Sequence, residues 1–159
     1  MSTYTALATF ADPAAGMRVS SRTGSGFTIT YDTEEAGDQR SGPSPAETVL
    51  SALAGCTSLD VASILRKKRQ VPDAYQIAVT GERATEHPRV FTAIVVEHRI
   101  TGDIDPEAVR RSVELSATRY CPVSAMLSAS VRIEHRFRLE RMPQDPEPVS
   151  ALVVTTGPE

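Results

Sequence analysis

The chain has 159 residues, 40% of them hydrophobic and 23% charged, with a net charge of -3 and a pI of about 5.7. That balance leads to the expectation of one soluble globular domain, and it gives no basic excess to suggest nucleic acid or an anionic membrane as a partner. Residues 1–10 carry no positive segment ahead of an apolar run, and no stretch reads as roughly 18 consecutive apolar residues. A cytoplasmic location is therefore expected. There is no tryptophan and aromatic residues make up only 5%, which predicts a core of Val, Ile, Leu and Ala. Two cysteines in a reducing compartment are not expected to form a permanent staple. They are either inert core residues or the chemistry.

Three strand-like runs open the chain: Ser2 to Phe10, Met17 to Ser21 and Phe27 to Asp32. Asp12-Pro13 and Thr23-Gly24-Ser25-Gly26 supply the turns between them. A polar loop from Thr33 to Gly42 follows. A helix then starts at Ser44-Pro45-Ala46-Glu47, where the serine caps, the proline takes the first helical position and the glutamate closes a capping box. From Thr48 to Arg69 the run lacks proline, and its centre, Leu50 to Leu59, is apolar or small nearly all round. Such a helix is expected to be buried on most sides, by a sheet and by a second subunit if one sheet does not suffice. Arg66-Lys67-Lys68-Arg69 stands where that helix ends. The run either pairs with the helix dipole or forms a binding patch.

Val71-Pro72-Asp73 stops the helix. Tyr75, Ile77 and Val79 alternate as in a strand, and Val90 to Thr101 reads as a second strand beyond the turn Thr85 to Pro88. Asp105-Pro106-Glu107 begins a helix that is predicted to run to about Thr118, and Tyr120-Cys121-Pro122 leads into a short helix ending near Ala129. Val131, Ile133, His135, Phe137 and Leu139 alternate with charged residues, the pattern of a half-buried strand. The predicted order is βββ-α-ββ-αα-β, and its segregated runs argue for the α+β class. Residues 1–141 form the predicted domain. Residues 142–159 read as a C-terminal extension, ordered only if it docks on a surface.

The chemistry rests on Cys56, inside the apolar helix, and Cys121, 65 residues later. Pro122 makes Cys121 the expected N-cap of the short helix. A thiol there faces unpaired backbone N–H groups that lower its pKa, unless the site is simply a helix junction. Cys56 gets no such help from its own helix and needs a fixed cation nearby, best an arginine. Glu47 could hold that arginine in a bidentate pair, or it could serve only as the cap partner of Ser44. Cys56 lies nine helical steps after Glu47, about two and a half turns, so the two point to opposite sides of the helix and Glu47 would serve a partner chain's cysteine or an arginine that bends round. None of His87, His98 and His135 shows metal-ligand spacing with either cysteine, so neither metal nor cofactor is expected.

The stretch from Gly42 through the Ala54-Gly55-Cys56-Thr57 step to Leu65 resembles the first-cysteine helix of the OsmC/Ohr family, and most closely its YhfA-like branch. Thr80 to Arg83, His87 to Thr92, and Leu115 to Leu127 around Tyr120-Cys121-Pro122, resemble the same branch. The resemblance covers roughly residues 17 to 139. It implies the OsmC-like fold, an intertwined homodimer whose sheets wrap long central helices, and a thiol-dependent peroxidase acting on organic hydroperoxides. In that resemblance Cys56 is the peroxidatic cysteine, Cys121 the resolving one, and a small dithiol or a protein thiol the reductant. Typical members carry the acidic residue ten positions before the first cysteine, where this chain has Ala46, with Glu47 one position on. The family arginine has no clean match among Arg18, Arg22 and Arg40. Arg40, just before the helix cap, is the choice. The competing expectation is a non-catalytic dimer of the same fold that senses redox state or binds a small molecule.

Overall fold

The computed structural model describes residues 2–12, 14, 16–33, 40–141 and 147–159. Pro13, most of the loop expected at 33–42, and the start of the tail at 142–146 lie outside the described residues. The chain forms two compact units, Met1–Val49 and Leu50–Glu159.

In the first unit, β1 (Ala6–Phe10), β2 (Arg18–Thr23) and β3 (Thr28–Asp32) form an antiparallel sheet in the order β1-β2-β3. The turn into β3 is closed by Thr23 N–H donating to the Phe27 carbonyl at 2.8 Å, with Gly26 at φ 94°. That left-handed backbone is one glycine adopts freely. Buried Asp32 accepts from the N–H and hydroxyl of Ser41 and lies 3.6 Å from the Arg18 guanidinium. Arg18, one of the three arginines open to a role beside a thiol, is thus engaged with a carboxylate of its own sheet.

Helix α1 (Pro45–Lys67) begins as its capping box dictates. The Ser44 N–H and hydroxyl both donate to Glu47 at 2.7 Å, and the Glu47 N–H donates back to the Ser44 hydroxyl at 3.2 Å. Within the chain only one stripe of α1 is buried, Leu53, Thr57, Val61 and Leu65, one residue per turn. The expectation of burial on most sides fails for the single chain: Leu59 is 74% exposed and Val49 also faces out. By length and composition alone α1 could cross a membrane, which the residue-by-residue reading did not register. The core helix of a globular protein passes the same test.

The second unit adds a four-stranded sheet, β4 (Ala74–Arg83), β5 (Phe91–Thr101), β6 (Arg132–Glu140) and β7 (Val149–Thr156), in that order. β4 and β5 form the expected hairpin, and β5 and β6 run parallel. Parallel neighbours need a long crossover, supplied here by helix α2 (Pro106–Leu115), a π-turn (Ser116–Tyr120) and helix α3 (Pro122–Leu127). β7 is a correction to the predicted order. The apolar part of the extension docks as an antiparallel edge strand, pairing Val149 with Leu139 and Thr156 with Ile133. The strand signal at Val149 to Thr156 is short and follows prolines, so only a free sheet edge gives it a partner.

Alternation in β6 sends Ile133, His135, Phe137 and Leu139 inward and the charged residues outward. The inner face of the sheet meets α1 and α2 in one cluster, with Val61 and Leu65 against Val109, Val113, Phe137 and Leu139. A second cluster gathers Leu53, Ile94, Val96, Val131 and Ile133 around Cys121, with Cys56 packed at its border.

Candidate functional site

Cys56 lies midway along α1 and Cys121 at the cap of α3, so helix and crossover bring together two residues far apart in the chain. Both thiols are free. Cys56 is half-buried and Cys121 is 2% exposed. Their sulfurs and a carboxylate oxygen of Asp60 all lie within 4.8 Å of one another. The sequence reading missed Asp60. The available signal was its spacing: four residues after Cys56 places it one turn along the same helix face.

The surroundings hold these groups in place. Cys121 caps α3 as expected, its sulfur accepting from the Ser124 N–H at 3.3 Å. The Ser116 hydroxyl donates to Asp60 at 3.1 Å and is hydrogen-bonded at 2.9 Å to the hydroxyl of Thr57, both hydroxyl residues being fully buried. Ser116 reaches inward from the π-turn. Tyr75 is held well above the usual phenol range, first by burial and then by the charge of Asp60. Its hydroxyl is 2.6 Å from Nδ1 of His98. Burial pushes His98 down to about 3 and His135 down to about 4, so both are neutral at physiological pH.

The expectation that the cap lowers the pKa of Cys121 is overturned. Burial pushes this thiol up to about 12, and the neighbouring Cys56 thiol acts in the same direction. The N–H groups of Ser124 and Val123 pull the other way and lose. A cap supplies a partial positive charge at one point, whereas a buried sulfur loses water on every side.

Glu47 and Arg40 belong to the Met1–Val49 unit. Glu47 is exposed and its carboxyl is held below the usual range, chiefly by its hydrogen bonds with Ser44, with Arg40 adding the smallest contribution. Arg40 is exposed. The cap role of Glu47 is thus observed, and the arginine chosen from sequence acts electrostatically upon it.

Two thiols from distant segments, close to each other and to a carboxylate, in a chain of helices and a mixed sheet, define an α+β dithiol protein. Comparison with known proteins gives the class its family. The chain belongs to the OsmC family, whose model, described as OsmC-like protein, matches residues 37–136. Protein YhfA of Escherichia coli (strain K12) is 41% identical over 125 residues, covering 78% of this chain and 91% of the relative. The OsmC-like protein from Mycoplasma pneumoniae superposes with a TM-score of 0.75 at 19% identity, covering 88% of this chain and 99% of that one. The organic hydroperoxide resistance protein OhrB of Bacillus subtilis gives 0.60 at 15% identity, over 88% and 98%. At such identities these two structures establish the shared fold.

Proposed function

We propose that this protein is a thiol-dependent peroxidase that reduces organic hydroperoxides. The observation that carries the reading is the approach of the Cys56 and Cys121 sulfurs to within 4.8 Å. A disulfide needs them at about 2.05 Å, so oxidation has to draw the two sulfurs together by the remaining gap.

Exposure and burial divide the roles. The Cys56 thiolate attacks the distal oxygen of the peroxide. The O–O bond breaks, the alkoxide takes up a proton and leaves as an alcohol, and Cys56 becomes a sulfenic acid. The buried Cys121 thiol, which burial keeps protonated, then displaces water from that sulfenic acid to give the Cys56–Cys121 disulfide. A small dithiol or a protein thiol restores both thiols by exchange. The apolar cluster around the sulfurs, with Leu50, Phe91 and Val123 at its border, favours greasy peroxides over hydrogen peroxide. By the family resemblance Arg40 is the choice for the activating cation and Glu47, which also caps α1, for its carboxylate partner. The apolar surface that α1 leaves uncovered within one chain supports an intertwined homodimer, and solution light scattering should report twice the mass of the chain. The family reading supports a cytoplasmic location.

The test is thiol-dependent consumption of tert-butyl hydroperoxide, with intact-mass measurement after equimolar peroxide. Wild type should consume peroxide and lose two hydrogens as the disulfide closes. Cys56→Ser should do neither, and Cys121→Ser should stop at the sulfenic acid. Consumption by Cys56→Ser at the wild-type rate would overturn the proposal. Thiols that stay reduced throughout would favour a non-catalytic binding dimer.

A further inference from the structure

We infer that the reduced protein has a binding site for a thiophilic divalent cation, of which zinc is the type, formed by Cys56, Asp60 and Cys121. The inference rests on the placement of these donors and not on peroxide reduction.

Three donors converge: two sulfurs and one carboxylate oxygen, mutually within 4.8 Å. Around one tetrahedral zinc, sulfur and oxygen ligands at about 2.0–2.3 Å stand roughly 3.3–3.8 Å from one another. Closing the triangle by about 1 Å therefore completes the set. The chemistry is selective. Two thiolates with one carboxylate suit zinc, cadmium or cobalt and reject magnesium and calcium, which take all-oxygen shells. Three protein ligands leave a fourth position for water or an incoming group, as in catalytic zinc sites and unlike closed structural ones.

The surrounding hydrogen bonds are those that orient metal ligands. The Ser116 hydroxyl holds Asp60 and is itself anchored on Thr57, while the Ser124 N–H points at the sulfur of Cys121. Such bonds fix ligand geometry before the ion arrives. They also explain a hydroxyl pair buried between α1 and the π-turn, which peroxide chemistry does not use.

On binding, each thiol gives up its proton to solvent and the sulfurs become thiolates. Two thiolates, one carboxylate and a divalent ion sum to a single negative charge, a far smaller charge to bury than the ligands alone would carry. The same two sulfurs cannot hold the ion and form a disulfide. Metal occupancy and oxidation are therefore exclusive: bound zinc protects the thiols from peroxide, and the disulfide form does not take up zinc.

Cobalt(II) chloride added to reduced, anaerobic, metal-free full-length protein tests the inference directly. One equivalent per chain should give a thiolate-to-cobalt charge-transfer band and tetrahedral visible bands, and one equivalent of zinc chloride should bleach both. Asp60→Asn should weaken cobalt affinity by at least roughly tenfold, and Ser116→Ala should weaken it by about tenfold through its hold on Asp60. Magnesium should compete with neither ion. Absence of the charge-transfer band in wild-type protein whose thiols titrate fully would overturn the site. So would a Cys121→Ser variant, folded by circular dichroism, that binds cobalt as tightly as wild type. Either result would leave peroxide consumption by the wild-type protein untouched, and loss of peroxidase activity with cobalt binding intact would count against the proposed function alone.

Discussion

Helices α2 and α3 begin with the same local instruction, a polar cap followed by proline, and leave their caps in opposite surroundings. At α2, exposed Asp105 accepts from the Glu107 N–H at 3.1 Å and keeps its contact with solvent. At α3, Cys121 accepts from the Ser124 N–H, yet lies 2% exposed among Leu53, Ile94 and Ile133. The extended backbone at the cap is shared. What differs is the water each cap residue retains. The dipole of one short helix is outweighed once the capping atom is enclosed, so a cap motif specifies where a helix starts and not how its first residue ionises.

The most severe way to break this comparison is to exchange the caps. Cys121→Asp improves α3 by local rules, but it places a carboxylate in an apolar cluster. It should destabilise the protein by about 3 kcal/mol or more in urea titration, and a neutral result would show that the cluster admits water. Titration of the buried groups comes next. His98 and His135 protonate only near 3 and 4 when folded, against about 6.5 when unfolded. Their stabilising contribution is complete above about pH 6.5 and drains away as pH falls toward 4. The unfolding temperature should drop by roughly 5 °C or more across that window. Cys121 acts at the other end. An unfolded thiol ionises near about 8.5, while the folded one holds its proton up to about 12. Its contribution is whole below the first value and lost as pH rises through the second. Cys121→Ala should flatten the alkaline side of the stability profile.

The solvated cap sharpens the contrast from below. Asp105→Ala should lower stability by about 1 kcal/mol, an ordinary cap loss, without changing peroxide consumption. The smallest expected change in stability is at Glu47→Gln, which keeps the capping-box geometry. Its melting temperature should stay at the wild-type value while the rate of peroxide consumption falls. An unchanged rate would confine Glu47 to its role at the start of α1.

Most of the fold was legible because its signals are local. The capping box of Ser44 and Glu47, the Pro106 and Pro122 helix starts and the two-residue alternation from Ile133 to Leu139 each act over four residues or fewer. All three appear in the structure. The two cysteines were legible as a pair only through resemblance. Asp60 was overlooked although its spacing from Cys56 was in plain view, because an acidic residue on a helix is ordinarily a solvated one. β7 was missed for a related reason: an apolar tetrad after prolines becomes a strand only when an unpaired edge is offered.

The amino-acid sequence by itself determined the types of the elements other than β7 and the π-turn, the places where helices start, and which faces of β6 are apolar, since propensity, capping and periodicity operate between near neighbours. Only the tertiary structure decided that Cys56, Asp60 and Cys121 converge, that β5 and β6 run parallel with β7 at the edge, and that Cys121 stays protonated. These depend on which distant segments exclude water from a given atom. That is a property of the packed chain, and no window of neighbouring residues contains it.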